Sequence, residues 1–392
     1  MIKYSTIQNI ADLQRERVLS ESESISRDLL PNIVSHPAKH ALIISGIRRC
    51  GKSTLLSQHL KALNPDDCFF INFDTPRLYG FTIQNFEAID QIITKSNYSV
   101  LYFDEIQIIK GWELYVRQKL DEGFRVIVTG SNASLLSREM GTKLTGRHLT
   151  YELYPFSFKE FLRFKSLEKT VKSADQYINL GGFPEYLKYN RQEILQSLTE
   201  DILYRDIAVR YGVRDISSLQ KLLIYLVSNV GGLLTGNKLA KQLGIKSTAT
   251  VMEYLSYIEQ TYLLNLLPRF SYSYRSQMVS PRKIYILDNG LVNAVSASFS
   301  ENKGRKMENA IYWHLRQHYK ELYYFNENNA ECDFIVFVKN QPVKAIQVCL
   351  EMDIDNQQRE INGLKDAMKF FGLKSGTIVT LEQEDQIILN SC

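Results

Sequence analysis

Between residues 41 and 150, short apolar runs alternate with segments of helical period, which predicts strand and helix in turn. The apolar runs are Ala41-Leu42-Ile43-Ile44, Cys68-Phe69-Phe70-Ile71-Asn72-Phe73, Ser99-Val100-Leu101-Tyr102-Phe103 and Arg125-Val126-Ile127-Val128. Helical patterns separate them at Leu55 to Leu60, Ile83 to Lys95 and Trp112 to Leu120. That order implies a mostly parallel sheet with helices on both faces. Ahead of it, Gln14-Arg15-Glu16-Arg17 and the polar stretch Ser20 to Ser26 suggest a helix and a connector, punctuated by Pro31 and Pro37.

Beyond residue 150 the pattern changes twice. Residues 163 to 230 are helix-rich, broken by Gly181-Gly182-Phe183-Pro184, with amphipathic helices at Leu195 to Tyr211 and Leu219 to Val230. Thr235 to Ile245 and Thr248 to Gln260 then predict two short helices around Lys246-Ser247, and Tyr262 to Phe270 can pair with Lys283 to Leu287 as a hairpin. Helix, turn, helix and a basic wing is a winged-helix signature. Arg269 to Arg275 interleaves cations with aromatic rings, as a nucleic-acid surface does, although winged helices also dock proteins. The last hundred residues predict a small α/β unit: helix Glu308 to Tyr319, three strands between Leu322 and Val348, helix Gln357 to Phe371 and strand Gly376 to Thr380. The expected divisions are 1–150, 151–230, 231–295 and 296–392.

The first strand leads into Gly46-Ile47-Arg48-Arg49-Cys50-Gly51-Lys52-Ser53-Thr54, a complete G-x-x-x-x-G-K-[ST] loop with a helix after it. A polyphosphate needs a concave wall of backbone N–H groups, and Gly46 and Gly51 let the chain wrap that closely. The following helix directs its positive dipole end at the phosphates of ATP, Lys52 reaches their outer oxygens and the Ser53 hydroxyl suits Mg²⁺. The third apolar run ends in Asp104-Glu105, which reads as the acid that holds the metal through water and the acid that polarises the attacking water. After the fourth run, Asn132, with Ser131 next, is a candidate γ-phosphate sensor or part of a plain Ser/Asn turn. Arg147 is a candidate arginine finger, toward its own or a neighbouring subunit, or a surface ion-pair residue.

Composition adds little. Hydrophobic residues at 44% and charged residues at 23% allow two or three domains with cores of their own, and a net charge of +4 argues for no nucleic acid by itself. Five cysteines without C-x-x-C spacing, one of them in the phosphate loop, fit a reducing compartment, so a cytoplasmic protein is expected. No run reaches eighteen apolar residues and the start is polar, so neither a membrane anchor nor a secretion signal is expected. The pairs His36/His40 and His314/His318 lack a third ligand, and no metal role is expected there.

The loop Gly46 to Thr54, the pair Asp104-Glu105, Thr142 to Arg147, Tyr154 to Leu162, Gly181 to Pro184 and Tyr285 to Leu291 together resemble a large family of prokaryotic AAA-type ATPases, over nearly the whole chain. The resemblance implies a P-loop ATPase joined to a winged helix and a C-terminal domain of PD-(D/E)xK nuclease-like fold. It also implies a metal site at Glu308 and Asp333 with Gln347 and Cys349, where an active nuclease has an acid and a lysine. Gln347 adds no charge and Cys349 cannot replace the lysine, so this domain is expected not to cut. The expected activity is Mg-dependent ATP hydrolysis that moves the later modules, on DNA and with a homo-oligomer in view. An ATP-regulated nuclease and a nucleotide switch for protein partners are the alternatives.

Overall fold

Five strands, β1 (Ala41–Ser45), β2 (Cys68–Asn72), β3 (Val100–Asp104), β4 (Arg125–Gly130) and β5 (His148–Glu152), form one fully parallel sheet in the order β2-β3-β4-β1-β5. The structure is a computed structural model that describes residues 2–20, 25–37, 39–131, 144, 146–297, 302–327 and 330–386. It separates into two units, Met1–Pro155 and Phe156–Cys392. In the first, β1 and β3 are buried along their whole length, which is why they read as unbroken apolar runs. Helices α1 (Tyr4–Ser20), α2 (Leu30–Val34), α3 (Lys52–Ala62), α4 (Phe86–Ser96) and α5 (Trp112–Asp121) surround the sheet. An aromatic cluster holds one face, with Phe86 stacked on Tyr115 at 3.9 Å between ring centres and Phe73 and Phe103 against them. Because every strand is parallel, the residues following β1, β3 and β4 emerge along one edge.

β5 carries no clear strand signal in the sequence. His148-Leu149-Thr150-Tyr151-Glu152 lies at the sheet edge with no fully buried residue, so it lacks the continuous apolar signal of its neighbours.

The second unit begins with helices Phe158–Lys165, Val171–Leu180, Pro184–Tyr189 and Gln192–Asp201, the last running on as a π-helical stretch, Ile202–Val209, before helix Ile216–Ser228. Thr235 and Ser247 cap the short helices Gly236–Leu243 and Thr248–Gln260 with their hydroxyls. These pack with an antiparallel sheet of β6 (Leu233–Leu234), β7 (Leu264–Pro268) and β8 (Arg282–Ile286), in the order β6-β8-β7. Helix Lys303–His318 leads to β9 (Glu321–Glu327), β10 (Ala330–Val338) and β11 (Gln341–Val348), then helix Gln357–Phe371 and β12 (Thr377–Val379). Their sheet has the order β12-β11-β10-β9, with only β11 and β12 parallel.

The stretch expected as a cationic, aromatic wing departs from that reading at its start. Phe270 is buried in the last sheet's core, stacked on Phe337 at 5.1 Å and edge-on to Phe371. Its N–H pairs with the Tyr324 carbonyl, and Arg269 lies 3.6 Å from Glu327. A hydrophobic partner, not a nucleotide base, accounts for that aromatic ring; Tyr272, Tyr274 and Arg275 remain exposed.

Candidate functional site

The loop between β1 and α3 takes its shape from two glycines for different reasons. A Cβ on Gly46 would stand 2.1 Å from the Leu153 carbonyl oxygen, where the chain leaving β5 crosses the loop. Gly51 has φ +100°, and Arg49 also lies in the left-handed region at φ +63°. Ile47 and Cys50 are buried, Arg49 is exposed, and burial raises the Cys50 thiol pKa. A residue that sequence reading missed braces the loop. Buried Arg27 donates from Nη1 to the Cys50 carbonyl at 2.8 Å and from Nη2 to the Tyr154 carbonyl at 2.7 Å.

The first turn of α3 carries the two polar side chains of the motif. Lys52 Nζ donates to the Gly46 and Ile47 carbonyls, both at 3.0 Å, and stands 3.7 Å from Glu105 Oε1. Ser53 Oγ donates to Asp104 Oδ2 at 2.9 Å, and Thr54 follows on the same turn. The Asp104 carboxylate is fully buried and accepts two further donors, Asn72 Nδ2 at 2.5 Å and the Thr129 hydroxyl. Glu105 turns through φ +53°; its N–H donates to Thr129 Oγ1 at 3.2 Å, and Gln107 and Ser131 bond its side chain.

The two acids are driven apart in proton affinity. Burial pushes the Asp104 carboxyl above its ordinary range, and the Glu105 charge acts the same way against the Thr129 and Ser53 hydrogen bonds. Burial would also raise Glu105, but Lys52, helped by Gln107, Arg48 and Ser131, holds it below the usual carboxylate range. The Lys52 ammonium, 3.7 Å away, is the main cause that lowers Glu105. A hydroxyl and a carboxylate, both hard oxygen donors and in mutual contact, fit a magnesium ion that keeps its remaining positions for water and phosphate.

Of the remaining candidates, Asn132 lies outside the described residues. Arg147 lies away from the phosphate loop of its own chain. Its carbonyl accepts the Ala41 N–H at the amino end of β1, roughly 13 Å of strand from the phosphate loop. Its guanidinium pairs with Asp121 at 2.7 Å. Because the two ends of β1 lie at opposite ends of the parallel sheet, this placement disfavours the finger toward its own subunit, agrees with the ion-pair alternative and leaves the finger toward a neighbouring subunit as the other reading.

The chain is 33% identical over 398 residues to the uncharacterized protein MJ1544 of Methanocaldococcus jannaschii, covering 95% of the chain and 88% of that protein. It belongs to the MJ1544 family. An uncharacterized protein of Haemophilus influenzae is 29% identical over 330 residues, 79% of the chain and 82% of that protein. Residues 38–162 match the AAA domain family and residues 171–302 match a domain of unknown function (DUF8612). Among solved structures, the Aeropyrum pernix ORC1 protein in complex with DNA aligns over 72% of the chain and 95% of its own, at 11% identity and a TM-score of 0.35. By the family match, this MJ1544-family chain carries an AAA-type ATPase domain over residues 38–162.

The second unit of the MJ1544-family chain holds another charged cluster. Lys283, buried on β8, places Nζ 2.7 Å from Asp333 Oδ1, 2.9 Å from Glu331 Oε1 and 3.3 Å from Glu308 Oε1. Tyr285, two residues on, donates its hydroxyl to Glu308 at 2.6 Å. Burial would lower the Lys283 pKa, but Asp333, Glu308 and Glu331 raise it well above its ordinary value. Burial, then Asp333, pushes Glu308 up to about 7. The cluster borders a cavity of about 690 Å³.

The expected Glu308 and Asp333 do meet, but around a lysine that sequence reading missed. Its only signal was the spacing of Lys283 and Tyr285 on alternate positions of a buried strand. Gln347 is committed to the fold, accepting the Asp333 N–H at 3.1 Å and donating to Glu360 at 2.6 Å. Cys349 turns to the Glu351 carbonyl. Among the described residues, no group of three His, Cys, Asp or Glu side chains is arranged to hold a metal ion, and no helix is long and apolar enough to cross a membrane.

Proposed function

We propose that the chain is a magnesium-dependent ATP hydrolase whose nucleotide state moves the winged-helix and C-terminal modules on DNA. The observation that carries the hydrolase reading is the joining of the two motifs, Ser53 to Asp104 at 2.9 Å and Lys52 to Glu105 at 3.7 Å. The loop N–H groups receive the phosphates, and Lys52 exchanges the Gly46 and Ile47 carbonyls for phosphate oxygens. Ser53 and Asp104 would hold a magnesium ion, whose chemistry there is to neutralise charge on those oxygens. Glu105, kept ionised, orients the attacking water and receives its proton. Lys52→Ala is expected to abolish ATP turnover; turnover near the wild-type rate would refute the site.

The DNA reading rests on exposed Lys238, Lys241 and Lys246 beside helix Thr248–Gln260. ATP turnover measured with and without single-stranded, duplex and branched DNA tests it, together with the salt dependence of binding. Phosphate contacts release counterions, so affinity should fall steeply as salt rises. Absent binding at low salt favours a switch for protein partners.

The C-terminal module is read as a nuclease-like scaffold without cleavage, because the Lys283 ammonium fills the centre of its carboxylates and Gln347 is spent on Glu360. Mg²⁺- or Mn²⁺-dependent DNA cleavage that disappears in Asp333→Ala would overturn this reading.

A further inference from the structure

We propose that Gln14, on α1, is a positioning residue of the nucleotide site and acts through Asn72 on Asp104. The proposal deepens the hydrolase reading above and rests on it. Among the described residues β2 is an edge strand, so the Asn72 N–H and C=O directed away from β3 meet no described strand. The Gln14 amide takes both. Its Oε1 accepts the Asn72 N–H at 2.8 Å and its Nε2 donates to the Asn72 carbonyl at 3.0 Å. One primary amide thus replaces the peptide group of a missing neighbour.

The side chain of the same residue reaches the chemistry. Asn72 Nδ2 donates at 2.5 Å to Asp104 Oδ2, the oxygen that also accepts Ser53 Oγ at 2.9 Å. Asn72 Oδ1 accepts the Asp74 N–H at 2.7 Å, which fixes the end of the amide that faces Asp104. Asp74 in turn lies 3.5 Å from Arg48 of the phosphate loop. A continuous relay therefore runs from Gln14 through Asn72 and Asp104 to Ser53. Its centre and its support are anchored: Asp104 is fully buried, and α1 is fastened by buried Ile7, Ile10 and Ala11 and by Ser57 Oγ on the Val18 carbonyl. Gln14, Ser53, Asn72 and Asp104 line one cavity of about 420 Å³ between α1 and the strand ends.

Because Ser53 and Asp104 are the oxygens suited to magnesium, losing the Gln14 amide should change how nucleotide binding depends on Mg²⁺, and not how the loop grips phosphate. The test titrates the full-length protein with a fluorescent ATP analogue in EDTA and at rising Mg²⁺. Gln14→Ala is expected to bind as wild type in EDTA and to need about fivefold more Mg²⁺ for half-maximal enhancement, the worth of one hydrogen bond. Asn72→Ala should shift the same way, and the double variant should add little, since the two residues act in series. Leu13→Ala, on the same cavity wall with the amide intact, should keep the wild-type midpoint. A wild-type midpoint in Gln14→Ala, or an equal shift in Leu13→Ala, overturns the proposal and leaves the hydrolase reading standing. A wild-type protein that binds no analogue under either condition overturns both.

Discussion

The Asp288 carboxylate accepts the Gly182 N–H at 2.6 Å, joining segments 106 residues apart in the chain. Its other oxygen accepts the Gly290 N–H at 2.8 Å, so one buried side chain ties the Gly181-Gly182-Phe183-Pro184 break to the Asp288-Asn289-Gly290-Leu291 turn. The glycines are needed because the partners are close. A Cβ at Gly182 would lie 2.2 Å from the Phe156 carbonyl oxygen, whose own N–H bonds the Gly182 carbonyl at 2.8 Å.

This clamp gives the first prediction. Asp288→Ala leaves two buried N–H groups without acceptors and should cost about 2–4 kcal/mol of stability. Gly182→Ala should cost at least as much, because backbone and not a flexible side chain must yield. Urea unfolding followed by circular dichroism measures both; a change under about 0.5 kcal/mol in either, the range of an ordinary surface substitution, would show that the two segments are held by something else.

Glu105→Gln separates binding from chemistry. The amide keeps the size of the side chain but cannot take a proton from water, so turnover should fall by about 10²- to 10⁴-fold. Affinity for Mg-ATP should stay close to that of wild type, since Ser53 and Asp104 are untouched. Stopped-flow binding beside steady-state phosphate release reads the two separately, and unchanged turnover would remove Glu105 from its role.

Arg27→Ala should loosen the phosphate loop without touching its motif. The guanidinium ties the Cys50 carbonyl to the Tyr154 carbonyl, so it holds the loop against the chain leaving β5. Its loss should weaken ATP affinity about tenfold, the effect of one charge-assisted bond. Arg27→Lys should recover only part, since an ammonium lacks the fork that spans both carbonyls. Equal affinity in all three proteins would sink the idea.

What the sequence disclosed and what it hid have physical causes. β1, β3 and β4 were legible because strands buried on both faces are apolar throughout, and the loop was legible because its chemistry demands fixed residue types at fixed spacing. Gln14, Arg27 and Lys283 looked like ordinary polar residues. Each acts on a partner far along the chain, Gln14 on Asn72 58 residues away and Lys283 on Asp333 50 residues away. Local pattern carries no trace of such contacts. Phe270 misled for the reverse reason: an aromatic between cations suits a base-stacking surface and a core edge alike, and only the fold brings Phe337 against it.

The Lys283 cluster makes stability depend on pH in a stated direction. Burial and the neighbouring Asp333 raise the Glu308 carboxyl on folding from its ordinary 4.5 to about 7. A carboxyl with a raised folded pKa favours the folded state while protonated. That contribution is complete below about pH 4.5 and is lost as pH climbs through 7. Glu308→Gln keeps an acceptor for the Tyr285 hydroxyl and cannot ionise, and Lys283 retains Asp333 and Glu331 as counter-charges. The variant should therefore match or trail wild type near pH 4.5 and gain on it by about 2 kcal/mol toward pH 8, within the linkage limit for such a shift. Lys283→Met should do the opposite at pH 8, leaving three carboxylates without their cation, and should lose stability by about 3 kcal/mol or more. Urea midpoints at pH 4.5, 6 and 8 decide the matter: parallel curves for wild type and Glu308→Gln would mean that Glu308 ionises alike in the folded and unfolded chain, and that the lysine already offsets its burial.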